Sequence, residues 1–139
     1  MSPRSKECLF CRIVRGEEPA IFVWRDDRTA VFLDTHPLFK GHALVVSVAH
    51  HETLTDLPTG EVATLYGVVQ RTAKAMAVLG GDGTFVAQNN VVSQSVPHVH
   101  VHVVPRRKKD GLRGFFWPRV RYVSDEERAE YAARLAQAF

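Results

Sequence analysis

Three histidines recur at two-residue spacing in SVPHVHVHVVPR, residues 95–106: His98, His100 and His102. Because side chains on a β-strand alternate between its two faces, the three imidazoles would share one face, and the valines between them would face the core. Three interpretations compete: polar residues on a solvated face, a three-histidine metal site that activates water, and attack on phosphorus by the central imidazole. Three histidines in register argue against the first and leave the other two open.

Short apolar segments separated by turns supply the elements that would hold this strand in place. A turn-rich entry, CLFCRIV, precedes a strand ending near Trp24; a polar turn at residues 25–28 and a second strand, TAVFLD, complete a predicted hairpin. ALVVSV and TFVAQ are expected to form further strands. Strands joined mostly by short turns predict an antiparallel sheet.

Two helices are expected beside the sheet. From Gly60 to Leu79 apolar residues recur at helical spacing, and GGDG follows as a stop signal. From Ser124 to Phe139 a serine cap with Glu127 three residues later predicts a short terminal helix. The predicted fold class is therefore α+β: an antiparallel β-sheet with one long helix packed on it and a short C-terminal helix.

Length and composition favour one domain over residues 1–139, with 45% hydrophobic and 24% charged residues. No apolar run approaches the roughly 18 residues of a membrane span, and no signal-peptide pattern is visible, so a soluble, cytoplasmic protein is expected. A net charge of +3, concentrated around RRKK at residues 106–109, favours an anionic partner. The basic residues form no stripe interleaved with aromatics, which argues against nucleic acid.

Cys8 and Cys11 form a C-x₂-C pair, a spacing shared by zinc sites and redox motifs. A thioredoxin-like motif would need a βαβ setting, which the predicted elements do not provide. A closed zinc site needs two further ligands, which His50, His51 or the three clustered histidines could supply. The alternative is a pair of reduced thiols packed in an N-terminal turn.

The run HVHVHVV resembles the signature of the histidine triad (HIT) family, in which three histidines alternate with apolar residues, and every position matches. The likeness extends to CLFCRIVRGEEPA, VFLDTHPLFKGHALVV, the long helix and QSVPHVHVHVVPR, in the order typical of small bacterial HIT proteins. It covers roughly residues 8–107, which would form the core of the domain and leave 108–139 as a C-terminal extension.

The resemblance implies a hydrolase that forms a nucleotidyl-histidine intermediate. His100 would attack the α-phosphorus of a nucleoside phosphoramidate, a sulfate of AMP or a dinucleoside polyphosphate, and water would then release a nucleoside monophosphate. His102 would bond the phosphate oxygens or the leaving group, His98 would complete the catalytic set, and a purine nucleotide is the expected substrate. The alternative is a nucleotide-binding regulatory or scaffold protein in which hydrolysis is slow and incidental.

The resemblance also implies residues that bind the nucleotide around the triad. Asp34 would face the ribose hydroxyls, although capping of a turn is an equally good account of this residue. His42 would support the triad from the neighbouring strand. The loop before the histidine strand, which is short and lacks the family's usual glycine, would contact phosphate through Asn89 or Asn90, Gln94 and Ser95.

A metal and a protein partner are implied in the same way. Many small HIT proteins bind zinc through a similar cysteine pair and two histidines, which here implies a structural Zn²⁺ on Cys8, Cys11, His50 and His98, with His51 as the fallback and no metal needed for the chemistry. HIT proteins are generally homodimers in which a C-terminal segment reaches the partner's site. Trp117, in GFFWPR, is the candidate for that contact, and a loop folded back on its own core is the alternative.

Overall fold

Five strands form one antiparallel sheet in the computed structural model, which describes residues 7–112 and 119–139. The strands are β1 Phe22–Arg25, β2 Thr29–Leu33, β3 Ala43–Ser47, β4 Gly83–Ala87 and β5 His100–Arg106. Their order across the sheet is β1-β2-β3-β5-β4, and each neighbouring pair runs antiparallel. The histidine strand β5 is therefore an interior strand, whose main chain is fixed by hydrogen bonds on both sides.

One long helix, α2 (Thr59–Ala75), covers the first face of the sheet. Its apolar side chains pack on the valines of the strands, and this core includes Leu65, Val69, Val31, Val45 and Val101. The helix continues as a 3-10 turn, Met76–Leu79, and ends at Gly80, whose φ of 77° lies in the left-handed region that glycine adopts without strain. The helix predicted from the sequence and the α+β fold class are both confirmed.

A short helix, α1 (Leu9–Val14), covers the opposite face, where the sequence pattern predicted only turns. Cys8 caps this helix, because its sulfur accepts a hydrogen bond from the main-chain N–H of Cys11 at 3.5 Å. The helix packs on a second group of buried residues that includes Ala30, Phe32, Leu44 and Val46. The part of this face that carries His98 and His100 is consequently covered by protein and is not a solvated face.

The C-terminal helix, α3 (Asp125–Gln137), begins where the serine cap predicts it. The Ser124 hydroxyl accepts the main-chain N–H of Glu127 at 3.1 Å, and the Glu127 carboxylate accepts the N–H of Val123 at 3.0 Å. The helix has no buried residue. The division into a core over residues 8–107 and an extension over 108–139 stays a prediction.

A helix that spans a membrane must be both long and apolar. Among the helices of residues 7–112 and 119–139, none combines enough length with enough apolar character to cross a bilayer.

Candidate active site

The three histidines lie where β5 begins, and their exposure to solvent increases along the chain. His98 is 0% exposed and His100 is 5% exposed, while His102 is partly open to solvent. His100 is paired with Val46 and His102 with Leu44 across the β3–β5 ladder. His98 and His100 are therefore buried on the side of the sheet that α1 covers, and His102 lies nearest the solvent.

His100 has its hydrogen-bonding pattern set by the main chain. Its Nδ1 lies 2.7 Å from the carbonyl oxygen of His98. A carbonyl only accepts, so Nδ1 carries the proton and the opposite nitrogen, Nε2, presents a bare lone pair. Burial lowers the pKa of His100 below its usual value, which favours the neutral ring.

His102 has the opposite pattern, and a chain of two hydrogen bonds sets it. The main-chain N–H of Leu38 donates to His42 Nδ1 at 3.1 Å, so His42 carries its proton on Nε2. That Nε2 lies 2.9 Å from His102 Nδ1, which must therefore accept, leaving the His102 proton on Nε2. Burial, followed by the nearby His100 and His42, lowers the pKa of His102 to about 4. Neighbouring rings 5.1 Å apart thus offer a lone pair at His100 and an N–H at His102.

Asp34 lies beside this hydrogen-bonded chain. One carboxylate oxygen accepts the main-chain N–H of His36 at 2.9 Å, as a turn-capping aspartate does. The other oxygen is 3.6 Å from His42 Nε2. The capping interaction is therefore present, while contact with a ribose stays a prediction.

The cysteine pair meets two histidines in a second cluster, the Cys₂His₂ cluster, formed by Cys8, Cys11, His50 and His98. The His98 Nδ1 lies 3.4 Å from the Cys8 sulfur, and the His50 Nδ1 lies 3.2 Å from the Cys11 sulfur. The two Nδ1 atoms are 3.2 Å apart. Tetrahedral Zn²⁺ with ordinary bond lengths would place S and N ligands roughly 3.5 Å apart and two N ligands roughly 3.3 Å apart.

Protonation in the Cys₂His₂ cluster also fits a metal. His98 Nε2 lies 2.6 Å from the Ser47 carbonyl and donates to it, which leaves Nδ1 free to ligate. Burial and the neighbouring Cys8 thiol raise the pKa of Cys11 to about 12, and a bound cation would offset this by stabilising the thiolate. The cluster could therefore hold a metal ion. His51, the fallback ligand, is instead 3.0 Å from the Glu61 carboxylate.

A second group of possible ligands, Asp34, His42 and His102, fits a metal poorly. A neutral imidazole that ligates through Nε2 carries its proton on Nδ1, but the Nδ1 of His42 accepts a hydrogen bond from the Leu38 main-chain N–H. A three-histidine metal site is also disfavoured by the geometry. Both ring nitrogens of His98 are engaged, one by the cysteines and one by Ser47, so none remains for a metal shared with His100 and His102.

Amide side chains hold together the loop that precedes the histidine strand. Asn89 donates to the Ser93 carbonyl at 3.2 Å, while the Asn90 carbonyl oxygen accepts the main-chain N–H of Leu54 at 2.9 Å. Gln94 accepts the N–H of Val91 and donates to a main-chain carbonyl, at 2.9 and 2.6 Å. Three of the four predicted loop residues therefore bond to main-chain groups within the loop or in residues 52–54.

The same loop contains two residues with a strained backbone and one predicted phosphate contact, Ser95, that is accessible to solvent. Val91 and Ser93 have φ of 67° and 60°, a region in which residues other than glycine are strained. Ser95 is exposed. The phosphate contacts assigned to the loop stay predictions, and Trp117 lies outside the described residues.

Phe10 is a residue of the site that the sequence analysis missed. Its ring meets the His100 ring edge-on, with centroids 5.0 Å apart and an interplanar angle of 85°. It also meets the His98 ring at 5.9 Å. The apolar positions of LFCRIV would have indicated a buried helical face, had this segment been assigned as a helix.

The family comparison agrees with this geometry. The model of the HIT domain matches residues 15–109. An uncharacterised HIT-like protein of Methanocaldococcus jannaschii is 41% identical over 106 residues, which are 75% of this chain and 82% of that protein. An adenosine 5'-monophosphoramidase of Schizosaccharomyces pombe is 34% identical over 113 residues, 80% of this chain and 83% of its own length. An adenylylsulfatase of Arabidopsis thaliana is 33% identical over 114 residues, 80% of this chain and 58% of that longer protein.

Solved structures repeat the fold over nearly the whole chain. A HIT family protein from Bacillus anthracis superposes with a TM-score of 0.86 at 28% identity, covering 96% of this chain and 97% of its own. A zinc-bound histidine triad family protein from Mycobacterium smegmatis has a TM-score of 0.75 at 38% identity, covering 97% of this chain and 99% of its own.

Proposed function

Because this chain belongs to the histidine triad family, we propose that it is a nucleotide hydrolase in which His100 becomes transiently nucleotidylated. The observation that carries the proposal is the pair of opposite proton positions on adjacent rings, a lone pair on His100 Nε2 and an N–H on His102 Nε2. A nucleophile and a hydrogen-bond donor on one face are what substitution at phosphorus requires.

In the first step the His100 Nε2 lone pair forms a bond to the α-phosphorus while the bond to the leaving group breaks. The leaving group departs with that electron pair, as a sulfate or nucleoside phosphate anion, or as a neutral amine when the phosphoramidate nitrogen is already protonated. The His102 N–H bonds to the phosphate oxygens, where negative charge concentrates. The hydrogen bond from His100 Nδ1 to the His98 carbonyl stabilises the positive charge that develops on the attacking ring.

In the second step water attacks the same phosphorus and releases a proton to solvent. The N–P bond breaks, its electron pair returns to Nε2, and a nucleoside monophosphate leaves. No metal is needed for either step. His98 contributes through its main-chain carbonyl, because both of its ring nitrogens are already engaged.

The substrate is proposed to be a purine nucleotide whose α-phosphate carries an amine, a sulfate or a further phosphate group. The named activities of the phosphoramidase and adenylylsulfatase relatives support the first two leaving groups. Asp34, which lies beside His42, is proposed to reach the ribose through its second carboxylate oxygen. We propose that the loop before β5 lines the phosphate end of the site. The residues involved are Asn89, Asn90, Gln94 and Ser95, which act mainly by fixing the conformation of the loop.

Zinc is the metal we propose for the Cys₂His₂ cluster, in a structural role. Two thiolates and two imidazoles are a ligand set that Zn²⁺ prefers, and the donor distances support this assignment. Bound there, zinc would tie α1 to the start of β5. The ion would supply a fixed local structure and take no part in bond cleavage.

The remaining proposals concern the setting of the protein. We propose a cytoplasmic homodimer without nucleic-acid or membrane partners, in which Trp117 contacts the partner's site. Both described cysteines are free thiols, which is compatible with a reducing compartment. Light scattering tests the dimer, and a monomer at micromolar concentration would remove that part of the proposal.

The function is tested by trapping the intermediate. Excess protein is mixed with α-³²P-labelled adenosine phosphoramidate, adenylyl sulfate or diadenosine polyphosphate and quenched within seconds. We expect label on the wild-type protein and AMP in solution, with His100→Gln losing on the order of 10⁴-fold or more in turnover. His51→Ala is the matched control, since the side chain of that histidine pairs with Glu61.

Two outcomes would contradict this proposal. Turnover retained by His100→Gln would show that another group attacks phosphorus. Tight nucleotide binding without label or turnover would instead favour a regulatory or scaffold protein in which hydrolysis is incidental.

A further inference from the structure

We propose that Phe10 is a positioning residue for the His100 nucleophile. This inference rests on the proposed function, because it assumes that the His100 ring must be held for attack. It assigns a task to an apolar side chain of α1, the helix that contains Cys11 and is capped by Cys8.

The His100 ring is constrained from three directions. Its Nδ1 is held by the His98 carbonyl at 2.7 Å, and the His102 ring lies 5.1 Å away at 68°. The third contact is Phe10, which meets the ring at 5.0 Å and 85° in the edge-to-face geometry that aromatic pairs prefer. A single hydrogen bond leaves a ring free to tilt about the N–H···O axis, so a packed aromatic neighbour is what restricts that tilt.

Phe10 itself has little freedom to move. Its side chain is 5% exposed and packs edge-on against Phe32, with ring centroids 5.4 Å apart. Phe10 lies between Cys8 and Cys11 in the sequence, on the six-residue helix α1. Such a short helix has little stability of its own, so its position depends on packing and on anything that binds the two cysteines.

Two separate sets of contacts therefore connect the cluster to His100. One runs through His98, which ligates with its ring and holds His100 with its carbonyl. The other runs through α1, which contains Cys11, is capped by Cys8 and places Phe10 against the nucleophile. Shortening the Phe10 side chain removes the second set of contacts and leaves the first intact.

A purely structural Phe10 predicts a different result. A core residue that does nothing else lowers stability when truncated, but the molecules that remain folded keep the wild-type kcat. A positioning residue lowers kcat in fully folded, metal-loaded protein, with little change in KM, because only the geometry of attack is disturbed.

The test compares Phe10→Leu with Phe22→Leu in zinc-loaded, full-length protein. Phe22 is a matched control, because it packs edge-on against the same Phe32 at 6.0 Å and, within the described part of the chain, its ring contacts include no histidine. Zinc content, Tm, KM, kcat and the rate of label transfer are measured for both variants. Phe10→Tyr, which keeps the ring, is the conservative variant, and Phe10→Met replaces Phe10→Leu should that protein not fold.

We expect Phe10→Leu to lose roughly 10- to 100-fold in label transfer and kcat, with KM within about threefold of wild type. Phe22→Leu should match wild type, and Phe10→Tyr should recover most of the rate. In ¹⁵N spectra of the histidine rings, Phe10→Leu should shift and broaden the His100 signals. Wild-type kcat and spectra in Phe10→Leu, or an equal loss in Phe22→Leu, would overturn the inference.

The failure of this inference and of the proposed function can be told apart. If wild-type protein forms no label, the function fails, and the His100 ring spectra of Phe10→Leu still report whether Phe10 holds the ring. If wild-type protein forms label and Phe10→Leu is unaffected, only the positioning role fails.

Discussion

Removal of the metal proposed for the Cys₂His₂ cluster should weaken the domain without unfolding it. The helix α1, which contains Cys11 and is capped by Cys8, buries Phe10, Ile13 and Val14 against the sheet. Burial of an apolar side chain of this size contributes about 1.5–3 kcal/mol. These contacts remain when the ion is gone, so α1 should stay docked and the apo-protein should keep its secondary structure.

The size of the loss follows from linkage between binding and folding. An ion that binds only the folded state stabilises it by RT ln(1 + [M]/Kd), which is about 4 kcal/mol at a thousandfold excess over Kd. For a domain of 139 residues, 1 kcal/mol corresponds to roughly 3–5 °C in Tm. Complete chelation should therefore lower Tm by roughly 12–20 °C.

Calorimetry before chelation, after chelation and after zinc is added back measures this difference, and elemental analysis gives the metal content. Far-UV circular dichroism should be unchanged by chelation. Cys11→Ser is the control, because a protein that has already lost a ligand should show no further fall in Tm with chelator. A protein that carries one equivalent of zinc and melts at the same temperature with and without it would refute the reasoning.

Four further predictions concern single residues. His42→Ala should lower kcat up to roughly 100-fold, because it removes the hydrogen bond that fixes the His102 ring and its Nε2–H. Steady-state kinetics, with the metal content checked, would measure this loss. The pKa of His102 falls from 6.5 to about 4 on folding, so the unfolded state binds more protons between these two pH values. The free energy of unfolding should therefore be highest above pH 6.5 and decline toward pH 4. Urea titrations should show a shallower decline for His102→Gln. His50→Ala should lose the metal while His51→Ala keeps one equivalent by elemental analysis, and equal retention by both would contradict the ligand assignment. Val91→Gly should raise the free energy of unfolding by roughly 1 kcal/mol, since Val91 has φ 67° and is 75% exposed; a decrease in denaturant titrations would show that the valine packs in a way its exposure does not suggest.

The shared face of the three histidines could be predicted from the sequence, because alternation along a strand is a local property. The proton positions could not, because they depend on the Leu38 N–H and the carbonyls of His98 and Ser47, main-chain groups that look alike in every residue. Which of two adjacent histidines joins the cysteines depends on how the chain leaves β3, and the family pattern supplied that answer.

The helix α1 was missed for a related reason. A six-residue segment has too few internal hydrogen bonds to be stable alone, so sequence periodicity is a weak signal there. The contacts that hold it, such as the Phe10–Phe32 pair, join residues far apart in the chain. The hydrogen bond between Asn90 and Leu54, 36 residues away, could not be predicted from the sequence for the same reason.

The three histidines are chemically equivalent in the sequence, and the structure distinguishes them by what meets each Nδ1. At His98 it meets thiol sulfurs, at His100 a carbonyl oxygen, and at His102 another imidazole. These partners leave an N–H at the Nε2 of His98 and of His102, and a bare lone pair at the Nε2 of His100. The environment of Nδ1 in each ring therefore decides what the triad can do, and Phe10, which packs on the ring between the other two, belongs to that environment.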